Sequence, residues 1–401
     1  MAASATIPSV RRQPGPDQRR LEEIERQLES DGRIEGVTKH DLPTPCLLVD
    51  LDLMEGNIEK MAAHAKAHSI GLRPHAKTHK CPKIAKRQID AGALGICAAT
   101  IREAEVMAAA GISGLLITSE LVGPNKVQRL LRLTRAHPDT MTVVDHAWQT
   151  EQLSEAAAAA EVQLNIMIDI DPIGRRTGIQ PGESAVRLAK TVDGLPNLNL
   201  KGVHSYSGVS SHVKGFAARN EHSKQYMALP VESFNQMEKA GLPVEILSGC
   251  STGTYNIDPH IPGITEMQVG SYVLMDVDYL GIGGQDGDVY DDFNAALTVL
   301  TTVVSKVHED QATVDAGLKA IATDRKFGPD LKEIKGVDYR FGGDEHGILT
   351  LRDPIQEIKL GDRLELVVPH CDPNVNLYDR MYCTRGEDVV EVWSVAARGH
   401  S

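Results

Sequence analysis

The sequence predicts an α/β protein in which a β/α barrel is followed by a separate β domain. Three observations carry that reading. Nine short apolar runs alternate with amphipathic stretches between residues 46 and 269. The alternation stops near residue 285, and β-like runs joined by Gly, Asp and Pro turns then occupy the rest of the chain.

In chain order, residues 1–17 are rich in Pro, Ser and Arg and read as a loose tail. Residues 18–30 (RRLEEIERQLESD) read as a short, charged, solvated helix. The apolar runs are Cys46–Asp50, Ile70–His75, Leu94–Ala98, Leu115–Thr118, Met141–Val144, Val162–Asp169, Leu198–His204, Val244–Ser248 and Glu266–Val269. Helical spacing fills the gaps, as in Leu53, Ile58, Met61, Ala62 and Ala65. Setting the first run aside leaves eight, the number of strands in a TIM-type barrel. A doubly wound open sheet is the alternative, because spacing alone does not establish closure. Leu297–Val304, Ala312–Asp315, Ile348–Leu351, Arg363–Val368 and Val389–Val395 supply the β domain. The expected division is a tail and helix at 1–41, a barrel at 42–285 and a β domain at 286–401.

Composition narrows the function. Of 401 residues, 41% are hydrophobic and 24% charged, which is too apolar for disorder. Lys and Arg number 42 against 55 Asp and Glu, a net charge of −13. A chain this acidic, with no basic block, is a poor partner for nucleic acid or an anionic membrane. No stretch approaches the roughly 18 uncharged apolar residues of a membrane span. Met1–Ser9 lacks the apolar core of a secretory signal. The six cysteines are scattered with no CxxC pair, as expected of reduced thiols in the cytoplasm or an organelle.

The chemistry concentrates at strand ends. In Arg73-Pro74-His75-Ala76-Lys77-Thr78-His79, Pro74 opposes helix, and an extended segment would put His75, Lys77 and His79 on one face. Two imidazoles beside Lys77 would lower its pKa and free its amine for a Schiff base. Strand seven ends in Ser248-Gly249-Cys250-Ser251-Thr252-Gly253-Thr254 and strand eight in Gly270-Ser271-Tyr272. Loops of this composition, after the seventh and eighth strands of a barrel, form the common phosphate site. Gly249 to Gly253 also matches G-x-S-x-G, with Ser251 as a hydrolase nucleophile. That motif requires a long helix next, and the two prolines of Tyr255–Gly263 oppose one. In the β domain, Pro369-His370-Cys371-Asp372-Pro373 follows a β run. Extended geometry would turn His370 and Asp372 the same way, and one imidazole with one carboxylate suits Mn²⁺ or Mg²⁺ better than zinc.

Together these motifs, with Val314-Asp315-Ala316-Gly317-Leu318-Lys319 and Asp344-Glu345-His346-Gly347, resemble the fold-type III pyridoxal-phosphate enzymes. Within them the sequence is most similar to the D-threonine aldolase and D-serine dehydratase group, from about Leu42 to Gly399. The resemblance implies an alanine racemase-like barrel that carries pyridoxal 5'-phosphate, a metal-bearing β domain and a homodimer. It assigns the cofactor lysine to Lys77 and the arginine near the phenolic oxygen to Arg176, with Arg175 the neighbouring register. Tyr206 would lie near the pyridine ring and His212 at the substrate's hydroxyl. Ser251, Thr252, Gly253, Gly270, Ser271 and Tyr272 would hold the phosphate, and His370 and Asp372 the metal. Two positions depart from the pattern: Ala98-Ala99 stands where a Gln is common, and Ser211 rather than Gln precedes His212. Dehydratases of the group tend to carry H-x-C with zinc, and aldolases H-x-D with a harder ion. The expected reaction is therefore retro-aldol cleavage of a D-3-hydroxy amino acid, D-threonine giving glycine and acetaldehyde. D-serine or 3-hydroxyaspartate dehydration, and 3-hydroxy-D-aspartate cleavage, are the alternatives.

Overall fold

The computed structural model describes residues 16–172 and 175–399; most of the expected tail, and Gly174 in the Arg175-Arg176 loop, lie outside the described residues. The chain enters through helix α1 (Pro16–Glu29) and strands β1 (Gly32–Thr38) and β2 (Cys46–Asp50). Helix α1 is docked rather than solvated all round, since Ile24 and Leu28 bury against Ile34, Val37 and Leu48.

Eight parallel strands follow: β3 (Gly71–Leu72), β4 (Cys97–Ala98), β5 (Leu116–Ile117), β6 (Met141–Val144), β7 (Leu164–Asp169), β8 (Leu198–His204), β9 (Ile246–Gly249) and β10 (Glu266–Met267). Their order in the sheet is β3-β10-β9-β8-β7-β6-β5-β4. A parallel bridge between His75 and Cys97 joins the two ends, with Cys97 N–H donating to Pro74 O at 2.8 Å. The sheet is a closed barrel, and the open-sheet alternative is excluded. On the other side of β3, Arg73 ties that strand to β10 by a buried two-pronged bond to Glu266 (2.9 and 2.7 Å).

Alternation along the strands sorts side chains between two cores. Leu115, Ile117, Val144, Ile166 and Ile168 pack with apolar helix residues such as Met107, Leu130, Leu153 and Leu188. Their sequence neighbours Leu116, Val143 and Met167 form a separate cluster with Cys97 and Met141 inside the barrel. Each such side chain stabilises the fold by about 1.5–3 kcal/mol on full burial. Helices α2 (Leu51–Ala67), α3 (Pro82–Asp90), α4 (Ile101–Ala109), α5 (Pro124–Ala136), α6 (Ala147–Ala160) and α7 (Glu183–Gly194) alternate with the strands; the short α8 (Gly208–Ser211) and the long α9 (Phe216–Lys239) lie between β8 and β9.

After α10 (Val277–Leu280), a second sheet takes β11 (Leu297–Ser305), β12 (Gln311–Val314), β13 (Asp330–Leu331), β14 (Val337–Phe341), β15 (Gly347–Leu351) and β16 (Arg363–Val367). It ends, beyond the short α11 (Cys371–Val375), with β17 (Arg380–Arg385) and β18 (Asp388–Ser394). Its order is β1-β18-β17-β2-β11-β12-β15-β14, with β16 paired to β11 and β13. The N-terminal strands therefore belong to the C-terminal sheet. β2 lies parallel to β17 on one side and antiparallel to β11 on the other. A boundary at residue 42 does not separate the two sheets.

Candidate active site

The C-terminal ends of the barrel strands open on a cavity of about 860 Å³, its open mouth included. His75, Lys77, Arg176, Tyr206, Ser251, Thr252, Gly270 and Ser271 all line it. Gly253, Tyr272, His212, His370 and Asp372 do not contribute to that lining, although Asp372 reaches Lys77.

The segment around Lys77 is not extended. After the bridge at His75 the chain makes a 3-10 turn over Ala76–Thr78, because the His75 imidazole accepts the Lys77 N–H at Nδ1 (3.3 Å). That bond leaves the proton on Nε2, which donates to Thr118 Oγ1 at 3.0 Å, so His75 is neutral. The turn sends His79 into the core, where its Nδ1 accepts the Cys81 N–H at 3.1 Å. Burial holds His75 well below its usual value and pushes His79 down to about 4. Two neutral imidazoles do not depress a lysine. Instead the Asp372 carboxylate, 3.4 Å from Lys77 Nζ, raises the lysine against the opposing effect of burial. The expected lowered pKa of Lys77 is thus reversed, by a residue of the short helix α11. Tyr206 lies between two cations, with Lys77 Nζ and the Arg176 guanidinium each 5.6 Å from its ring centre. Of the two adjacent arginines, Arg176 is the one that lines the cavity.

The two hydroxyl-rich loops meet at the cavity floor. Each becomes a 3-10 turn, Thr252–Thr254 and Ser271–Val273, whose first N–H groups lack intrahelical acceptors. Thr252 Oγ1 accepts the Tyr272 N–H at 3.0 Å and so locks one loop to the other. The glycines serve this packing: a Cβ on Gly253 would meet Ser211 O at 2.1 Å, and one on Gly270 would meet Thr78 Oγ1 at 2.7 Å. The Tyr272 side chain is fully buried and its hydroxyl accepts from Gln88 at 3.0 Å, away from the cavity. Only a single 3-10 turn follows Ser251, so the helix that a hydrolase nucleophile requires is absent there. Small residues, free turn N–H groups and the Ser251, Thr252 and Ser271 hydroxyls fit a phosphate.

The H-x-D segment is a strand end turned into a helix start. His370 is extended and precedes α11, with Asp372 in the first turn. The two acids of the motif separate cleanly. Cys371 is buried, its Sγ donates to Met275 O at 3.1 Å, and burial holds its thiol far above the usual range. Burial would also raise Asp372, but Lys77 and His370 outweigh it and bring the carboxyl down to about 2. Asp372 Oδ1 is buried with no hydrogen-bond partner, an orphaned acceptor that a cation would satisfy. Among the described residues no three His, Cys, Asp or Glu side chains converge as a closed metal cage. One imidazole and one carboxylate leave most of a coordination sphere to water, which fits a hard divalent ion. His212, just after α8, lies beside Tyr279 with ring centres 4.7 Å apart. Its Nδ1 is 3.4 Å from Asp278 Oδ2, without the alignment of a hydrogen bond. Burial lowers its pKa, against the raising effect of Asp278.

Three features escape a reading of motifs. A hydrogen-bonded chain runs from the exposed Thr177 (3.1 Å) to the buried Asp169, His204 (2.5 Å) and Gln268 (3.2 Å) beneath the cavity. Glu120 lines the cavity, and burial next to Asp169 raises its carboxyl. Asp169 and His204 each end a barrel strand, the same positional signal that singled out Lys77. Arg219 gave no such signal, since a cation within a helix reads as solvated. It is fully buried and donates to Gly253 O (2.7 Å), Val213 O (2.9 Å), Ile282 O (3.1 Å) and Gly283 O (2.8 Å). It thus fixes the Thr252–Gly253 loop from behind.

A barrel with a lysine at the end of its first strand, a hydroxyl-lined floor and a second β domain define the fold-type III class. The family model "Alanine racemase, N-terminal domain" matches residues 49–277, and "Putative serine dehydratase domain" matches residues 296–384. The chain belongs to the alanine racemase-like, fold-type III pyridoxal-phosphate family. It is 36% identical to the 3-hydroxy-D-aspartate aldolase of Paracoccus denitrificans (strain Pd 1222), over 91% of this chain and 94% of that one. It is also 36% identical to the D-threonine aldolase of an Arthrobacter species, over 89% and 93% respectively. The crystal structure of D-threonine aldolase from Filomicrobium marinum superposes with a TM-score of 0.88 at 36% identity, covering 92% of this chain and 99% of that one.

Proposed function

We propose that the chain is a lyase that cleaves D-3-hydroxy amino acids between Cα and Cβ, with D-threonine giving glycine and acetaldehyde. The observation that carries this is the meeting of Lys77 and Asp372, 3.4 Å apart, one from the turn after β3 and the other from α11. A cofactor lysine and a metal carboxylate are thereby within reach of one small substrate. Pyridoxal 5'-phosphate supplies an electron sink for the bond that breaks, and a divalent ion, Mn²⁺ or Mg²⁺, supplies a lower pKa for the β-hydroxyl.

The chain's own residues do the rest. Lys77 holds the cofactor, and Arg176 and Tyr206 orient its ring. Ser251, Thr252, Gly270 and Ser271 receive the phosphate, with Gly253 and Tyr272 as packing supports of those loops. His370 and Asp372 hold the ion at the hydroxyl. His212, with Nδ1 toward Asp278, presents Nε2 to take the hydroxyl proton. The turned-away Cys371 supports H-x-D rather than a thiolate site, and so an aldolase rather than a dehydratase. In this reading the enzyme acts as a homodimer, as the family resemblance implies, in the cytoplasm or, after import, in an organelle. Six free, buried cysteines support a reducing compartment, and no helix among the described residues is long and apolar enough to cross a membrane.

The test is product analysis on D-threonine with pyridoxal phosphate and Mn²⁺ supplied. Glycine with acetaldehyde is expected. Ammonia with 2-oxobutyrate would replace cleavage by elimination. A parallel assay on 3-hydroxy-D-aspartate, the substrate named for the Paracoccus relative, yields glycine and glyoxylate if that acid is preferred.

A further inference from the structure

Behind the two histidines of the site runs a row of polar side chains, hydrogen-bonded from His370 as far as Asp278. His370 Nδ1 is 2.7 Å from Asp324 Oδ2. The same oxygen accepts from Arg325 NH1 at 2.7 Å, and Arg325 Nε donates to Asp278 Oδ2 at 2.7 Å. Asp278 Oδ2 in turn lies 3.4 Å from His212 Nδ1. The order is imidazole, carboxylate, guanidinium, carboxylate, imidazole. Asp324, Arg325 and His370 come from the β domain, whereas Asp278 lies in α10 and His212 follows α8.

We infer that Asp324, Arg325 and Asp278 form a strut that sets His370 and His212 relative to one another, with Asp324 the positioning residue for the metal-facing nitrogen of His370. The inference rests on the reading of His370 as a metal ligand. Asp324 accepts from the Nδ1 side of the ring, which leaves Nε2 as the nitrogen free to face a cation. Arg325 suits the central position because its planar fork donates to two carboxylates at once, a geometry that a lysine does not reproduce. It also separates two anions that would otherwise repel, and keeps each facing its own histidine. The pairs are one-fifth to one-third exposed, so their contribution to stability is small. Their effect is on position.

The test uses the full-length enzyme loaded with pyridoxal phosphate and titrated with Mn²⁺ alone, free Mn²⁺ being followed by electron paramagnetic resonance. Asp324→Ala should weaken Mn²⁺ binding about 10–100-fold. Asp324→Asn, which keeps an acceptor for Nδ1–H but loses the charge, should weaken it less. Arg325→Met should weaken it in the same direction, with the cofactor absorbance and the thermal midpoint unchanged. Wild-type affinity in Asp324→Ala overturns the strut and leaves the metal reading standing. A wild-type enzyme that holds its cofactor but binds no Mn²⁺ overturns both. A fall in affinity only alongside loss of the cofactor band overturns the positioning role in favour of a structural one.

Discussion

Asp258 is a buried carboxyl held by two hydroxyls, with Ser223 and Thr254 each donating at 2.6 Å. Burial pushes its pKa up to about 6. An acid raised in the folded state binds its proton more tightly there than in the unfolded chain. The stability it adds is complete below about pH 4 and is lost as pH rises through about 6, a span on the order of 2–3 kcal/mol. Urea unfolding of wild type and Asp258→Asn at about pH 4.5 and about pH 7.5 isolates this group. Wild type should lose stability relative to the variant at the higher pH, and a pH-independent difference would refute the assignment. At this scale the sequence marks positions better than states. Lys77 and Ser251 are at the cavity, as strand-end placement implies, and so are Arg176 and Tyr206, as the family resemblance implies. The charge on Lys77 was not legible, because it depends on Asp372, which only tertiary folding brings to 3.4 Å.

At the scale of elements, β8 shows how the barrel accommodates a misfit. The β7–β8 register shifts between Ile166 and Met167, leaving Lys201 as an extra residue, and Gly202 follows at φ +151°. A Cβ there would approach Ile246 O of β9 within 1.9 Å. Gly202→Ala should therefore cost about 3 kcal/mol or more. Gly36→Ala, at φ +68° with open space around its Cβ, should cost only about 1 kcal/mol. Equal costs in chemical denaturation would mean that backbone preference, and not the β8–β9 contact, governs Gly202. All eight barrel strands were legible as apolar runs, since parallel strands buried on both faces need little else. Two segments were read as extended where the chain turns. His75 caps a turn through its own imidazole, and Pro373 lies in the first turn of α11, where its missing N–H forfeits no bond. Period-two reasoning carries no information about such side-chain-driven turns.

At the scale of the molecule, the insertion of β2 between β17 and β11 makes the second sheet discontinuous in sequence. A fragment of residues 286–401 alone lacks both the strand inside its sheet and β1 at the edge. It should show no cooperative thermal transition, whereas co-expression with residues 1–285 should restore one. A cooperative transition in the isolated fragment would show that β2 is dispensable. This arrangement escaped the sequence reading because an apolar run declares that it is buried, not which sheet buries it. The same strand runs directly into the barrel: Asp50 ends β2 and caps α2 by accepting the Leu53 N–H at 3.1 Å. Recombination among relatives is constrained accordingly. A graft meant to exchange the H-x-D module for another must bring two pieces of the donor, the segment around β1 and β2 as well as everything after the barrel. A single crossover near residue 286 would mate one parent's inner strand with the other's sheet.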